Sequence, residues 1–168
     1  AEMNFWERML VINANFTFSK GHEDYDWYKN KYQIGYGPED IREEGTSRAY
    51  KASTSELYTV LDLYATFNKS FGKHAVTGIV GFNQEYNRWN KFTADRYDII
   101  STSLPSIGLA SGEQYVDEEF KDWAIRGAFF RVNYTFDNRY ILEMNSRYDG
   151  TSRFPSKKRF GFFPSASA

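Results

Sequence analysis

Cysteine is absent from the 168-residue sequence, and histidine and proline are scarce, with two and four copies. Without cysteine the chain has no disulfide, no thiolate nucleophile and no cysteine-ligated zinc. An excess of charge is also missing, because 21 Lys and Arg accompany 22 Asp and Glu, for a formal net charge of −1. The sequence therefore has no excess of positive charge that would attract nucleic acid, and it has no acidic tail.

Long apolar runs are missing too. The longest stretch without a charged residue covers positions 99–112, and it is short and polar. A membrane-spanning helix needs about 20 consecutive apolar residues, so none fits this sequence. Residues 1–8 are polar and charged where the apolar core of a signal peptide would begin. An exported protein needs a signal peptide. For such a protein, we therefore expect that the mature start lies elsewhere or that the chain is a portion of a longer protein.

Aromatic residues are abundant, in an unusual setting. They make up 19% of the chain, with 15 Phe and 13 Tyr, while 26% of the residues are charged and the mean hydropathy is −0.65. A soluble core with so many rings would carry more Leu, Ile and Val beside them. We therefore expect many of the rings to lie on a surface.

The stretch from Phe129 to Asp149 alternates between two kinds of side chain with a period of two. Because successive side chains of a strand point to opposite faces, the pattern predicts a hairpin with an apolar wall, a charged wall and a turn at Asp137-Asn138. Each arm runs about ten residues, which is long for a soluble domain and suits a membrane-crossing strand. The apolar set is Phe130, Val132, Tyr134, Phe136, Tyr140, Leu142, Met144 and Tyr148, and the polar set is Arg131, Asn133, Glu143, Asn145, Arg147 and Asp149.

The same alternation predicts four further strands, within residues 10–19, 57–68 and 76–87 and from Phe160 onward. Pro164 cannot donate a ladder hydrogen bond, so we place it at the rim, before full pairing starts. Tight connections at residues 70–73 and 137–138 alternate with long ones at 20–55, 90–122 and 150–159. Outer-membrane barrels have short periplasmic turns and long extracellular loops. The connections therefore also predict the orientation, with the two tight turns on the periplasmic side and the long loops outside the cell.

Ring positions agree with that orientation. Rings near the tight turns and rings near the long loops form two groups, as in the aromatic girdles of membrane barrels. The sequence thus predicts an all-β fold, a segment of a large antiparallel transmembrane β-barrel with short periplasmic turns and long extracellular loops. Six strands cannot close a barrel, so we expect the remaining strands outside this chain. The first group is Phe67, Tyr134, Phe136 and Tyr140, and the second is Phe18, Tyr86 and Tyr148.

Several motifs near the second half of the chain resemble one family. An Arg-x-Asp-Gly-Thr-Ser-Arg-Phe stretch at residues 147–154 leads into Gly-Phe-Phe-Pro-Ser at 161–165. The order and spacing closely resemble the barrel of SusC/RagA-type TonB-dependent transporters. Three further stretches, at residues 68–74 ahead of Gly81-Phe82, at 129–134 and at 140–143, look like the same family, so the resemblance covers about residues 57–168.

The resemblance implies energised import through an outer membrane. Members of this family form large barrels, usually of 22 strands, plugged by an N-terminal domain, and they take up oligosaccharides or peptides. A SusD-like surface lipoprotein caps the barrel, and TonB acts on the plug from the periplasm. Residues 1–168 would all belong to the barrel, with no plug domain, and the protein would lie in the outer membrane of a Gram-negative bacterium.

Four aromatic residues in and beside the second long loop are the predicted substrate contacts: Trp89, Tyr97, Tyr115 and Trp123. Exposed rings suit stacking on sugars, and nearby Asp and Arg suit hydroxyl groups. Rings in long loops also pack the loop itself or contact a partner, so that alternative stays open. The first long loop holds a similar set, Trp27, Tyr28, Tyr32 and Tyr36.

Catalysis and cofactor binding find no support in the sequence. The two histidines, His22 and His74, fall in different contexts, and no pair of carboxylates stands out as a catalytic pair. We predict that the protein is not an enzyme and needs no cofactor or metal. Two alternatives to energised import remain, a passive porin-type barrel and a soluble carbohydrate-binding β-sandwich.

Overall fold

The computed structural model describes residues 2–5 and 9–168. The signal-peptide expectation for residues 1–8 rests partly on residues 1 and 6–8, which lie outside the described residues. The chain forms two compact units. The first comprises the described residues of Ala1–Ser19 with Leu57–Arg88 and Asp122–Ala168, and the second comprises Lys20–Glu56 and Trp89–Lys121.

Nearly all regular structure is β-strand. Among the described residues, two 3₁₀ turns, Ile107–Leu109 and Ser156–Lys158, lie between strands. In the described part of the chain, no helix is long and apolar enough to cross a membrane. The strands are β1 (Glu2–Phe5), β2 (Leu10–Lys29), β3 (Tyr32–Gly35), β4 (Ile41–Glu44), β5 (Arg48–Phe71), β6 (His74–Tyr97), β7 (Gln114–Phe136), β8 (Tyr140–Thr151) and β9 (Phe160–Ser167).

The strands pair mainly with their neighbours in sequence. One seven-stranded sheet has the order β1-β2-β5-β6-β7-β8-β9, and a two-stranded sheet joins β3 to β4. The pairs β1–β2, β3–β4, β7–β8 and β8–β9 are antiparallel. The predicted all-β antiparallel class is confirmed. The predicted number of six strands is too low among the described residues, because β1, β3 and β4 have four residues each and are too short for an alternation to stand out.

The long strands extend well beyond the predicted arms. Strands β5 and β6 have 24 residues each, β7 has 23 and β2 has 20. The predicted long loops at 20–55 and 90–122 are therefore wrong over much of their length, since β2, β5, β6 and β7 all continue into them. Charged residues on both faces obscured these extensions, because a strand with water on both sides does not alternate in hydropathy.

Both tight turns lie where the sequence places them. Strand β5 ends at Phe71 and β6 begins at His74, with Gly72 in the left-handed region at φ 59°. Strand β7 ends at Phe136, and Asp137 and Asn138 have φ of 51° and 53°. Consecutive positive φ angles at the two central residues are typical of type I′ hairpin turns, which favour Asn and Asp.

The register of β7 and β8 separates the two predicted walls. Arg131 is paired with Asn145 and Asn133 with Glu143, while Val132 is paired with Met144. Polar residues therefore share one face and apolar residues the other. Arg131 and Glu143 are diagonal neighbours, and the Arg131 guanidinium reaches the Glu143 carboxylate at 3.0 Å.

An ordinary apolar core is missing from the described residues. Their buried apolar side chains are three alanines, Ala49, Ala52 and Ala110, and no large side chain among them is fully buried. One face of β7 and β8 instead exposes six large apolar or aromatic residues: Phe130, Val132, Tyr140, Leu142, Met144 and Tyr148. Because such a face is unfavourable in water, the hairpin requires an apolar environment such as lipid.

The predicted position of Pro164 is wrong. Pro164 lies inside β9, in register with Ser146 of β8 rather than ahead of the paired region. Strand β9 has β8 as its one partner in the described sheet. A proline fits such a strand when its missing N–H would point away from the partner.

Candidate functional site

The second unit holds a partly buried ion pair surrounded by aromatic rings, which we call the Arg48 cluster. Its members are Arg48, Asp95, Trp27, Tyr50 and Tyr97. Arg48 is the first residue of β5, and its Nε donates to Oδ2 of Asp95 on β6 at 2.7 Å. Asp95 is 7% exposed, whereas the Arg48 side chain retains 33% of its surface. The guanidinium thus stays accessible while its counter-charge is enclosed.

Two aromatic rings hold the Arg48 guanidinium from its sides. Its central carbon lies 5.6 Å from the Trp27 ring and 5.0 Å from the Tyr97 ring. These are cation–π distances, and such contacts restrict the arginine to one orientation. The Trp27 ring in turn stacks on Tyr50, with centroids 5.5 Å apart and planes at 16°.

Two more tyrosines extend the cluster with exposed surface. Tyr25 packs edge-on against Tyr50 at 6.3 Å, and Tyr115 packs edge-on against Tyr97 at 6.2 Å. Tyr25 and Tyr115 are both at least half exposed. The cluster therefore presents accessible rings beside an accessible cation.

Backbone hydrogen bonds fix the loop that follows Tyr97. The N–H of Asp98 donates to the Ser47 carbonyl at 3.0 Å, and the N–H of Ile99 donates to Ser47 Oγ at 2.9 Å. On the return, the N–H of Gly112 donates to the Tyr97 carbonyl at 3.0 Å. Asp98 has a φ of 58°, which reverses the chain directly after Tyr97. Tyr97 is thus held at the end of β6 rather than on a free loop.

The protonation states of the cluster follow from its hydrogen bonds. The hydrogen bond to Asp95 raises the pKa of Arg48 above its ordinary value, so the guanidinium stays charged. A hydrogen bond to Glu113 raises the pKa of Tyr115, so its hydroxyl stays a neutral donor. The site therefore combines the Arg48 cation with a neutral Tyr115 hydroxyl at physiological pH.

The structure divides the four predicted substrate contacts. Tyr97 and Tyr115 are in contact in the second unit. Trp89, in the same unit, has the Lys121 ammonium 4.7 Å from its ring. Trp123 belongs to the first unit, where its ring lies 6.2 Å from Tyr58 and 4.6 Å from the Arg153 guanidinium.

The sequence does not identify Arg48 and Asp95 as site residues, because both lie in stretches without the alternation that predicts a strand. A signal was present: Tyr25 and Trp27 are two residues apart, as are Arg48 and Tyr50 and as are Asp95 and Tyr97. Spacings of two place both members of each pair on one face of a strand.

A separate polar network lies on β7 and β8 of the first unit. The Glu143 carboxylate accepts hydrogen bonds from Arg131 at 3.0 Å and from Asn145 at 2.8 Å. Arg131 also donates from Nε to Oδ1 of Asn145 at 2.8 Å. Further along the face, Arg147 forms two bonds to Asp149, at 3.0 and 2.9 Å.

The network continues on β5 and β6. Asn83 donates from Nδ2 to Asp62 Oδ1 at 2.6 Å, and the Tyr58 hydroxyl donates to Glu85 at 3.0 Å. Each of these named charged side chains thus has a hydrogen-bonding partner on its own or an adjacent strand. Such a wall suits contact with water and polar permeants rather than lipid.

Long antiparallel strands, tight turns, one apolar face and one hydrogen-bonded polar face define the wall of a transmembrane β-barrel. The sequence matches the family described as TonB dependent receptor-like, beta-barrel, over residues 4–168. The chain belongs to this family, whose members are transporters and receptors rather than enzymes.

Individual relatives support the same family assignment. A TonB-dependent receptor of Formosa agariphila is 26% identical over 111 residues, which are 65% of this chain and 11% of that protein. The TonB-dependent receptor SusC of Bacteroides thetaiotaomicron is 28% identical over 105 residues, which are 62% of this chain and 10% of that protein. The predicted SusC/RagA-type resemblance is confirmed. The chain spans about a tenth of the length of these curated relatives.

A solved structure supports the fold independently. The RagAB peptide transporter superimposes with a TM-score of 0.80 at 18% identity, over 95% of this chain and 18% of that chain. The likeness extends over nearly all strands of the chain, including the long extensions that the sequence did not predict.

Proposed function

We propose that the protein is an energised nutrient importer in the outer membrane of a Gram-negative bacterium, and that all of residues 1–168 belong to its barrel wall. The family match over residues 4–168 is the observation that carries this proposal. A plug domain outside this chain would couple the barrel to TonB. The polar network around Glu143 would line the interior, and the apolar face would contact lipid.

Oligosaccharides are the proposed substrate class. Sugar rings stack on aromatic side chains through their apolar faces, and their hydroxyl groups bond to arginine, carboxylate and phenol groups. The Arg48 cluster combines these groups, with Tyr25 and Tyr115 as the exposed rings. Tyr97 contributes by orienting Arg48.

Trp89 and Trp123 are two further proposed substrate contacts. Each ring has a cation over it, Lys121 for Trp89 and Arg153 for Trp123. Paired in this way, the rings are held in place while the cations remain available for hydroxyl groups. We propose that both contact substrate separately from the Arg48 cluster.

A SusD-like surface lipoprotein is the proposed partner. The SusC relative and the RagAB structure support this assignment. The partner would cover the outer side of the barrel and close the substrate in.

Peptides are the second candidate substrate class. The RagAB relative is described as a peptide transporter, and its fold matches over nearly the whole chain. The Arg48 guanidinium would then bind a peptide carboxylate, for which its planar donor fork is suited.

Energy-dependent uptake tests the proposed function. Cells carrying the full-length protein should accumulate a labelled oligosaccharide, and disruption of TonB or an uncoupler should reduce uptake at least about tenfold, because an unopened plug blocks passive diffusion. Labelled peptides of similar mass form the parallel arm. Cells lacking the protein provide the background rate.

The alternatives give different results. A passive porin would pass the oligosaccharide equally with and without TonB. A soluble sugar-binding protein would appear outside the membrane fraction. Faster energised uptake of peptides than of oligosaccharides would replace the proposed substrate class with the second one.

A further inference from the structure

One arginine interrupts the apolar face of β7. Along that face, Phe136, Tyr134, Val132 and Phe130 are followed by Ala128 and then by Arg126. Arg126 lies ten residues before Phe136, the last residue of β7. At about 3.3 Å per residue and a tilt of about 40°, this separation is roughly 25 Å, the height of the apolar band of a membrane barrel. Arg126 therefore lies at the edge of that band.

Arg126 shares a hollow with a second arginine, Arg159. The hollow has a volume of about 220 Å³, and both arginines line it together with Gly150, Ser152 and Phe160. Gly150 is in register with both Arg126 and Phe160, and its missing side chain leaves the space that the Phe160 ring covers.

Backbone hydrogen bonds hold the loop that carries Arg159 against the strands. The N–H of Thr151 donates to the Arg159 carbonyl at 3.0 Å, and the N–H of Ser152 donates to the Ala124 carbonyl at 2.9 Å. Ser152 Oγ in turn accepts from the Ala124 N–H at 2.8 Å. These hydrogen bonds therefore give the hollow a defined shape, formed by the loop and the strand ends.

The charge around the hollow is positive and uncompensated. In the described part of the chain, neither Arg126 nor Arg159 forms an ion pair with an acidic side chain, and Arg159 Nε donates to the Phe154 carbonyl at 3.0 Å. The acids nearest in sequence have other partners: Asp149 pairs with Arg147 at 2.9 Å and Asp122 with Arg88 at 3.2 Å. The loop at residues 152–159 carries four cations and no acid.

We propose that Arg126 and Arg159 bind a phosphate group of an anionic glycolipid in the outer leaflet of the membrane. Two guanidinium groups can donate several charge-assisted hydrogen bonds to one phosphate. We assign the ligand as a lipid because Arg126 lies on the apolar face of β7, and its register partner Gly150 and Phe160 beyond it share that face. Tyr148 and Phe160 stack beside it at 5.2 Å, and aromatic rings at this height prefer the membrane interface. The inference rests on the proposed outer-membrane location.

Native mass spectrometry of the full-length protein in detergent tests the proposal, with diphosphorylated lipid A as the probe. The double variant Arg126→Gln, Arg159→Gln should bind the probe at least about tenfold more weakly than wild type, since its amides cannot replace two charged donors. The matched control Arg139→Gln removes a cation at the tight turn between β7 and β8 and should bind as wild type. Dephosphorylated lipid A should bind weakly to all three proteins.

The outcomes separate this inference from the proposed function. Heat-modifiable migration of each variant, extracted from outer membranes, shows whether the barrel has assembled. Assembled protein whose double variant binds diphosphorylated lipid A as tightly as wild type would overturn the inference and leave the import function intact. Equal binding of the phosphorylated and dephosphorylated lipid to wild type would also overturn it. Wild-type protein absent from outer membranes would instead contradict the proposed function on which it rests.

Discussion

Replacing Val132 by arginine is expected to destabilise the barrel wall in lipid by about 2–4 kcal/mol. Val132 lies on the apolar face of β7, exposed and in register with Met144. It lies four residues before Phe136, the last residue of β7, hence about 10 Å into the apolar band. A guanidinium at that depth has neither water nor an acidic partner on its own face. The measurement is the unfolding midpoint of the full-length protein in lipid vesicles, together with the amount assembled in outer membranes.

The adjacent residue supplies the control. Asn133→Arg introduces the same side chain one position along β7, where it points to the opposite face. Asn133 is in register with Glu143 and donates to its carboxylate at 3.4 Å, so the new cation would meet an acid and water. We expect a change within about 1 kcal/mol. Equal losses for the two variants would mean that the two faces are not lipid and water.

The second large effect is expected from Arg48→Met. The substitution keeps an unbranched side chain over the first part of arginine's length. It removes the guanidinium, with its charge, its donors and its contacts with the Trp27 and Tyr97 rings. Substrate affinity should fall about tenfold or more, the loss expected for hydrogen bonds from a charged group. The measurement is substrate binding by the full-length protein, using the oligosaccharide or peptide that supports energised uptake.

Arg42 offers a closely matched control for Arg48. It forms two hydrogen bonds to Asp40 at 3.0 Å and lies 5.2 Å from the Tyr36 ring, in an exposed setting. Arg42→Met should leave affinity unchanged. The double variant Arg48→Met, Asp95→Asn removes the unpaired buried carboxylate that the single variant leaves. If the double variant recovers wild-type affinity, Arg48 serves the stability of the cluster rather than recognition.

The membrane hairpin could be predicted from the sequence because one face of it meets lipid. There, an apolar residue at every second position is a physical requirement, and the stretch from Tyr134 to Leu142 shows it on both sides of the Asp137-Asn138 turn. The turn itself was recognisable because Asp and Asn tolerate positive φ.

The strand extensions and the Arg48 cluster could not be predicted in the same way. Where water contacts both faces of a strand, no hydropathy pattern is required. Beyond the apolar band, the sequences of β2, β5, β6 and β7 therefore cannot be distinguished from loops. The pairing of Arg48 with Asp95 depends on the register of β5 against β6 across 47 residues of sequence. The sequence identifies Tyr97 and Tyr115 as candidate substrate contacts, but it does not show that the two rings are neighbours.

Cysteine accessibility along β7 tests most directly the claim that this chain is the wall of a membrane-spanning barrel. The chain has no native cysteine, so each thiol within it is an introduced one. Single cysteines at Phe130, Val132, Asn133 and Thr135 would be probed in the full-length protein, in intact outer membranes, with a membrane-impermeant maleimide. We expect rapid labelling at positions 133 and 135 and protection at positions 130 and 132. Equal labelling at all four positions would contradict the claim.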